Sequence, residues 1–495
     1  MKMEKSNFAQ LDLLFNPHTV AVVGATNKIG KWGYDLMRVI LKYRGERKVY
    51  PVNITETEIL GVKAYKNIND IPEPVDFVVI VVPEMHVISV MQDCVKKGVR
   101  GAIVITAGFA ELGEKGQEIQ RELVRIAREG NIRMIGPNTM GHFSGTSGFS
   151  TLRYLLANKT DSGLSLISQS GNIGLYLMQR GLEEGISFAK FVGSGNEADT
   201  TLEDYLEYFG QDDDTKVIVL YVEGLRQGRR FFELAREITR KKPIVALKVG
   251  RTEAGTKAAR SHTSALSGSD VIYDAMFKQC GVIRVNEIAE LFYTTIALRY
   301  QPLMKGNRVA VLTRGGGFGV LASDACQKSG LGLPTLSAVT LDKLDKMLPP
   351  YWSHVNPVDM VANQENTYSC VQALLDDDNV DAVYCVAVTD EGSIVSGVRL
   401  DDLDDLSSSQ RENMKQALEQ RHKSDIQDLD DVLINIRKTQ KPVVFCASIP
   451  SKTLYKSDTY IKLLQHNYLV HPTPEDGARV LSCMARYSNY LRSLK

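Results

Sequence analysis

The sequence predicts an α/β protein whose mainly parallel sheets are covered by helices on both faces. Three observations predict this class. Short runs such as "KVIVLYVEG" are apolar on both faces, as strands between two helical layers are. Amphipathic stretches such as "QEIQRELVRIAREG" separate these runs. Three of the apolar runs end in a Gly-rich turn and continue into a helical stretch, which is typical of doubly wound sheets that bind ligands at the carboxyl ends of their strands.

Composition excludes several classes of protein. With 43% hydrophobic and 24% charged residues, the chain resembles ordinary globular proteins. Lys and Arg together number 59, as do Asp and Glu, so no global charge favours nucleic acid or an anionic membrane. We find no signal peptide and no apolar run of about 18 residues, which predicts a cytoplasmic protein that does not span a membrane. The seven cysteines are scattered without metal-ligand spacing, which favours reduced thiols and no metal site.

A chain of 495 residues is too long for a single core. The three Gly-rich turns divide it into predicted domains at residues 1–145, 146–300 and 301–495. The polar, acid-rich segment 391–435 is interpreted as a surface insertion in the third domain.

The first domain opens with the glycine turn "VAVVGATNKIGKWG". Its glycines, Gly24, Gly30 and Gly33, are spaced G-x5-G-x2-G and not G-x-G-x-x-G. A site for NAD usually has an acidic residue after the second strand, but here that strand ends at Asn53. NAD is therefore disfavoured, and with it an NAD-dependent oxidoreductase.

The same turn retains groups that bind phosphate. Its backbone N–H groups and the side chains of Thr26, Asn27 and Lys28 could contact the phosphates of a nucleotide that is recognised differently from NAD, such as coenzyme A. The alternative is a turn that only packs a strand against a helix.

The second domain contains a strand that leads directly into a helix, "LSLISQSGNIG". Ser168, Ser170, Gly171 and Asn172 open this helix, and its unpaired N–H groups favour a bound anion, particularly a phosphoryl group. Glu223 ends another strand of the same domain, so it is expected at the same sheet edge.

His262 lies in the loop that follows the next strand, "PIVALKVG". A neutral imidazole can attack an activated phosphoryl group, and a carboxylate such as Glu223 can fix its tautomer. Arg251, Lys257 and Arg260 raise the positive potential of this loop. The alternatives are a surface or capping histidine and a Glu223 that only forms a salt bridge or caps a helix.

The ordered motifs of the chain resemble one family over residues 10–480. They include "YPVN…ILGVKAY", "ITAGFAE", "IGPNTMG", "ISQSGNIG", "VGSGNEADTTLEDYLEY" and "KVGRTEAGTKAARSHTSALSGSD". This is the family of NDP-forming acyl-CoA synthetases, which includes the α subunits of ADP-forming acetate–CoA ligases and, more distantly, of succinyl-CoA synthetase. The resemblance implies a Rossmann-like CoA-binding domain followed by two flavodoxin-like parallel-sheet domains.

The resemblance also implies roles for individual residues. His262 becomes the phosphohistidine and Glu223 its carboxylate partner, while the phosphate-binding helix start falls on Ser170, Gly171 and Asn172. The implied contacts with coenzyme A are Gly24, Thr26, Asn27, Lys28, Gly30, Ile105, Thr106 and Ala107.

The implied reaction is acid + CoA + ATP = acyl-CoA + ADP + phosphate, through an acyl phosphate and the phosphohistidine. We find no nucleotide-grasping domain and no Walker motif, so ATP and Mg²⁺ are expected on a separate ATP-grasp β subunit. A heteromer, with α2β2 the expected form, follows from the resemblance. A CoA-binding regulatory or scaffold protein that has lost catalysis is the alternative.

Three positions depart from the family pattern. Arg314 stands where members commonly have Asn, Thr139 where they have Cys, and Ser264 where they have Gly. The second and third are compatible with an altered acid substrate. Arg314 would suit a doubly anionic acid, or it is simply a surface loop residue.

Overall fold

The computed structural model describes residues 5–154, 162–255, 257, 269–361, 366–388, 407–447 and 457–494. The chain forms two compact units, Met1–Leu291 and Phe292–Lys495. Each unit is built on parallel sheets, which confirms the predicted fold class. The predicted first and second domains both lie within the first unit.

The first sheet has five parallel strands, and three of the four connections between them contain a crossover helix. In spatial order the strands are β2 (Lys48–Val52), β1 (Thr19–Val23), β5 (Phe77–Ile80), β6 (Gly101–Val104) and β7 (Arg133–Ile135). The helices before and between them are α1 (Lys5–Phe15), α2 (Trp32–Lys42), α3 (Glu84–Lys97) and α4 (Glu114–Glu129). A small hairpin, β3 (Glu58–Ile59) and β4 (Val62–Lys63), and two 3-10 turns, Ile68–Asp70 and Ala110–Leu112, complete this part of the chain.

The second sheet has seven strands, of which five are parallel. In spatial order they are β14 (Ile283–Val285), β13 (Ile244–Lys248), β12 (Val217–Val222), β10 (Leu164–Ser168), β11 (Lys190–Gly193), β8 (His142–Ser144) and β9 (Phe149–Ser150). Its helices are α5 (Gly171–Glu183), α6 (Leu202–Gln211), α7 (Gly228–Ile238) and α8 (Asp270–Gln279).

One edge of the second sheet differs from the prediction. Strands β8 and β9 form an antiparallel hairpin, and β8 pairs antiparallel with β11. The predicted division between residues 145 and 146 therefore cuts through this hairpin. Three-residue and two-residue strands are too short to show a periodicity in the sequence, which explains the difference.

The second unit contains the third sheet, whose five strands are parallel. In spatial order they are β16 (Val358–Asp359), β15 (Val309–Thr313), β17 (Ala382–Val386), β18 (Val443–Cys446) and β19 (Val470–His471). The remaining helices are α9 (Ile288–Tyr300), in which the boundary between the units falls, α10 (Gly316–Lys328), α11 (Ala338–Asp345), α12 (Thr367–Leu375), α13 (Ser408–Thr439), α14 (Asp458–Gln465) and α15 (Pro474–Ser493).

Part of the segment predicted to be a surface insertion is helix α13. Its last turns place Leu429, Leu433 and Ile436 in the core of the second unit. Residues 408–435 therefore belong in part to the crossover between β17 and β18 and not to a decoration. Residues 391–406 lie outside the described residues.

No described helix combines the length and the apolar composition that crossing a membrane requires. All seven cysteines are buried free thiols.

Candidate active site

The glycine turn of the first domain lies where the order of the first sheet reverses. Strand β1 lies between β2 and β5, so the carboxyl end of β1 is a topological switch point, where such sheets bind ligands. Gly24 follows β1 with a positive φ of 98°, and a Cβ atom added at Gly33 would lie 2.0 Å from the carbonyl oxygen of Gly24. Helix α2 can therefore approach the end of β1 only because both residues are glycine.

A cavity of about 560 Å³ opens at this switch point. Five of the predicted CoA contacts line it, namely Gly24, Thr26, Ile105, Thr106 and Ala107. Gly33 and Thr139, which the sequence analysis singled out for other reasons, also line it. The sequence did not indicate the remaining lining residues, which are Lys31, Trp32, Val81, Val82, Pro83, Asn138 and Met140. The cavity is mainly apolar with a few polar groups, which is the usual character of a small-molecule site.

The other predicted contacts, Asn27, Lys28 and Gly30, are exposed and lie outside the lining of the cavity. The side chain of Asn27 is engaged with the loop after β2, since its Nδ2 donates to Glu56 Oε2 (2.6 Å) and to Glu58 O (2.8 Å). Thr26 Oγ1 also donates to Glu56 Oε1, at 2.6 Å.

Glu56 places a carboxylate near the glycine turn, which the sequence analysis did not predict. We expected no carboxylate near the glycine turn because β2 is followed by Asn53. The chain turns after Asn53, whose Oδ1 accepts the backbone N–H groups of Thr55 and Glu56. This turn carries Glu56 back to Thr26 and Asn27, and the hydrogen bond from Thr26 lowers the pKa of the Glu56 carboxyl.

The second candidate cluster lies at the switch point of the second sheet. Strand β10 lies between β11 and β12, and helix α5 begins at Gly171, directly after β10. Ser170 is the N-cap residue, and its side chain makes no capping hydrogen bond. The first backbone N–H groups of a helix have no partners within the helix, so this helix start can bind an anion.

Glu223 is buried at the end of β12, beside this helix start. Burial, together with the nearby Glu223 carboxylate, raises the pKa of Tyr221 to about 12. On the neighbouring strand, burial lowers the pKa of Lys248, while the carboxylates of Asp270 and Glu223 act in the opposite direction. The carboxyl group of Glu223 therefore lies at the edge of the sheet that carries Ser170.

His262, Arg260 and Ser264 lie outside the described residues. The adjoining cations are described in part. Arg251 is exposed and lies 3.5 Å from the carboxylate of Asp270, while Lys257 is exposed. The predicted convergence of His262 on Glu223 and Ser170 therefore stays a prediction.

The cavity and the helix start are direct neighbours. Met140 lines the cavity, and a Cβ atom added at Gly171 would lie 2.2 Å from Met140 Cγ. Thr139, also in the lining, donates its hydroxyl to Gly193 O at the end of β11. The segment after β7 is thus shared by the two candidate sites.

Two polar residues of this cluster were missed by the sequence reasoning. Gln169 donates from Nε2 to Glu197 Oε1 (3.0 Å) and accepts at Oε1 the backbone N–H of Glu223 (2.6 Å). Gln169 follows directly on the buried strand β10, and this position in the sequence is the signal that could have found it, whereas Glu197 lies further along the loop after β11. In the described part of the chain, no group of three or more His, Cys, Asp or Glu side chains is placed to hold a metal ion.

The glycine turn of the third predicted domain lies in the second unit. Arg314 follows β15, and its guanidinium donates to Thr367 Oγ1 at 3.1 Å. At least part of this side chain is thereby held by helix α12.

Comparison with protein-family models matches all three regions of the chain. Residues 18–143 match a CoA binding domain, residues 161–298 match the succinyl-CoA ligase like flavodoxin domain, and residues 309–387 match a ligase-CoA domain. The first match contains the cavity, and the second contains the helix start and Glu223.

Individual relatives agree with these matches. The α subunit of acetate–CoA ligase [ADP-forming] II from Pyrococcus furiosus is 44% identical over 76% of this chain and 82% of the relative. The acetate–CoA ligase [ADP-forming] of Methanocaldococcus jannaschii is 41% identical over 72% of this chain but only 49% of its own length. This chain therefore spans about half of that longer relative.

A solved structure extends the likeness to nearly the whole chain. It is the dinucleotide forming acetyl-coenzyme A synthetase 1 from Ca. Korarchaeum cryptofilum, in complex with phosphate and ADP. It is 32% identical, with a TM-score of 0.83, over 98% of both chains. By its domains and its relatives, the chain belongs to the family of α subunits of ADP-forming acetate–CoA ligases, which are acyl-CoA synthetases and hence ligases.

Proposed function

We propose that the chain joins an organic acid to coenzyme A through an acyl phosphate and a phosphohistidine at His262. The observation that carries this proposal is the contact between Met140 and Gly171, which joins the cavity lining to the helix start. The thiol of coenzyme A in the cavity and a phosphoryl group at α5 would then share one reaction centre.

The proposed steps balance as reversible displacements. In the direction of ATP synthesis, a phosphate oxygen attacks the thioester carbonyl, the C–S bond breaks, and coenzyme A leaves with acyl phosphate formed. A neutral nitrogen of His262 then attacks phosphorus, and the P–O bond to the carboxylate breaks, which releases the acid. ADP finally takes the phosphoryl group from His262, which yields ATP.

Each group at the helix start has a part in these steps. Backbone N–H groups at Ser170, Gly171 and Asn172 would hold the phosphoryl oxygens, where a preorganised donor acts most strongly on developing charge. The Glu223 carboxylate would accept a hydrogen bond from the His262 ring and stabilise the cation that forms. In the cavity, Gly24, Thr26 and the segment 105–107 would hold coenzyme A, and Asn27, Lys28 and Gly30 would lie at its mouth.

We infer a partner that supplies the nucleotide site. The relatives that carry the name of an α subunit support a separate β subunit. We propose that this subunit has an ATP-grasp domain that holds ATP or ADP with Mg²⁺, and that the two chains form an α2β2 heteromer. The predicted cytoplasmic location remains part of this proposal, and the seven free thiols are in keeping with it.

The proposal is tested by labelling the complex of this chain and its partner with γ-³²P ATP and Mg²⁺, followed by peptide mapping. We expect acid-labile label on the peptide that contains His262. His262→Asn should abolish the label, whereas His86→Asn, a change at an exposed histidine of α3, should retain it. Coenzyme A binding without label or turnover, with an active partner present, would favour the regulatory or scaffold protein.

A further inference from the structure

Glu197 is a buried acid that the proposed chemistry does not use. It lies in the loop between β11 and α6, and it is only 3% exposed. Its φ of 51° is in the left-handed region, which a residue other than glycine seldom adopts. The loop is tied down on both sides of it, because Asn196 N–H donates to Pro137 O (2.9 Å) and Ala198 N–H donates to Gly136 O (3.1 Å). The surrounding structure therefore maintains an unfavourable backbone conformation at this position.

The Glu197 carboxylate is held by groups from three segments. Its Oε1 accepts hydrogen bonds from Ser194 Oγ (2.8 Å) and from Gln169 Nε2 (3.0 Å). Its Oε2 lies 3.7 Å from Arg226 Nε, and the guanidinium of Arg226 also donates to Asn196 O at 2.6 Å. The carboxylate is thus fixed in direction as well as in position.

Hydrogen bonds of the Gln169 side chain connect the Glu197 carboxylate with the candidate catalytic groups. Its Oε1 accepts the backbone N–H groups of Glu223 (2.6 Å) and Gly224 (3.0 Å), and its Nε2 donates to Gly224 O (2.8 Å) as well as to Glu197. The opposite orientation of the amide would turn its NH₂ group toward two N–H donors and its oxygen toward two acceptors. Gln169 also directly precedes Ser170, so one side chain connects the helix start with Glu223.

Several ionisable groups face the Glu197 carboxyl. Burial raises its pKa to about 7, and the nearby Glu203 carboxylate adds to this effect. The hydrogen bonds from Ser194 and Gln169 and the Arg226 guanidinium oppose it. The buried Tyr205 hydroxyl, which is bonded to Thr200 at 2.5 Å, lies close enough for the Glu197 charge to raise the pKa of that tyrosine.

We propose that Glu197 is a positioning residue for phosphoryl transfer, which orients the Gln169 amide and through it holds Glu223 in register with the start of α5. This proposal rests on the proposed function. Glu197 acts through Gln169, to which its carboxylate is hydrogen-bonded.

The test compares the rate of His262 phosphorylation by ATP and Mg²⁺ in complexes that contain wild type, Glu197→Gln, Glu197→Ala and Glu207→Gln. We expect Glu197→Ala to slow the reaction on the order of tenfold to a hundredfold, as the loss of an orienting partner does elsewhere. Glu197→Gln should restore part of this loss, because its amide oxygen still accepts from Gln169. Glu207→Gln is the matched control, since Glu207 is also buried but pairs with Arg230 on α7.

The pH profile separates positioning from a merely structural role. Ionised Glu197 is the stronger acceptor for Gln169, so the wild-type rate should rise as the pH passes through about 7. Glu197→Gln has no such ionisation, so its profile should lose the contribution of Glu197 and keep only that of the His262 imidazole. Binding of coenzyme A, measured by calorimetry, should stay within about twofold in all four proteins, which shows that the variants fold.

The possible failures can be told apart. Equal rates and pH profiles in wild type and both Glu197 variants would overturn the positioning role. The same holds if Glu207→Gln loses as much activity as Glu197→Ala. If Glu197→Ala does not fold, the profile of Glu197→Gln still decides. An unlabelled wild type beside an active partner would contradict the proposed function itself.

Discussion

Gly24 and Gly33 show how single residues shape the proposed coenzyme A site. Both line the cavity, and the carbonyl oxygen of Gly24 occupies the space that a Cβ atom at Gly33 would need. Gly30, between them, has a φ of +83° but nothing within 4 Å of an added Cβ. The three glycines of one motif therefore have different physical roles, of which two concern the cavity and one the local turn.

Substitution by alanine should separate these roles. We expect Gly33→Ala to cost at least about 2 kcal/mol of stability, because the new methyl group must displace the β1–α2 contact. The same change should weaken coenzyme A binding at least about tenfold. Gly30→Ala should cost about 1 kcal/mol through its left-handed backbone and leave the affinity within about twofold. Calorimetric unfolding and coenzyme A titration measure both quantities, and equal affinities for the two variants would contradict the assigned roles.

For single residues, the sequence identified candidates by their residue type, but it did not show which residues they contact. The glycines, Thr26 and Glu223 were recognised because strand ends are common sites for ligands. Glu56 and Glu197 were missed, since each reaches its partner through a turn or a left-handed residue whose path local sequence does not reveal. Side-chain directions after a strand depend on a few dihedral angles, and these are decided by packing.

Helix α13 shows that the sequence likewise did not predict how a whole helix packs. Its 32 residues include many charged side chains, so the sequence favoured an exposed decoration. Its last turns nevertheless bury Leu429, Leu433 and Ile436 against the third sheet's core. A short apolar stripe contributes little to the average hydrophobicity of a long polar helix, although this stripe decides where the helix packs.

Two substitutions on α13 distinguish its packed end from its polar end. Leu433 is fully buried, and Leu433→Ala should destabilise the second unit by about 2–5 kcal/mol through the cavity that it leaves. Gln416 is exposed, and Gln416→Ala should change stability by no more than about 0.5 kcal/mol. Urea unfolding followed by circular dichroism measures both. A loss below about 1 kcal/mol for Leu433→Ala would contradict its place in the core.

The described part of the chain contains three large, mainly parallel sheets, and the proposed coenzyme A cavity belongs to the first unit alone. The chain has two tryptophans, one in each unit. Trp32 lines the cavity, whereas Trp352 is buried in the second unit and donates from its indole to Asp345 at 2.8 Å. Each unit therefore contains one tryptophan whose fluorescence can be followed separately.

Single-tryptophan variants can locate coenzyme A binding in the intact chain. With Trp352→Phe, the remaining emission comes from Trp32, and coenzyme A should change it in a saturable way because the ligand excludes water from that indole. With Trp32→Phe, emission from Trp352 should stay constant over the same titration. A saturable change in the Trp32→Phe protein, with none in the Trp352→Phe protein, would place the ligand elsewhere.

The sequence by itself determined the fold class, the glycine turns at strand ends and the family, because these depend on residue type, periodicity and spacing along the chain. Only the tertiary structure decided which of those residues meet. It placed Met140 against Gly171, returned Glu56 to the glycine turn and joined Glu197 to Glu223 through Gln169. Such contacts join residues about 30 or more positions apart, and their geometry follows from crossover connections and close packing that no local pattern encodes.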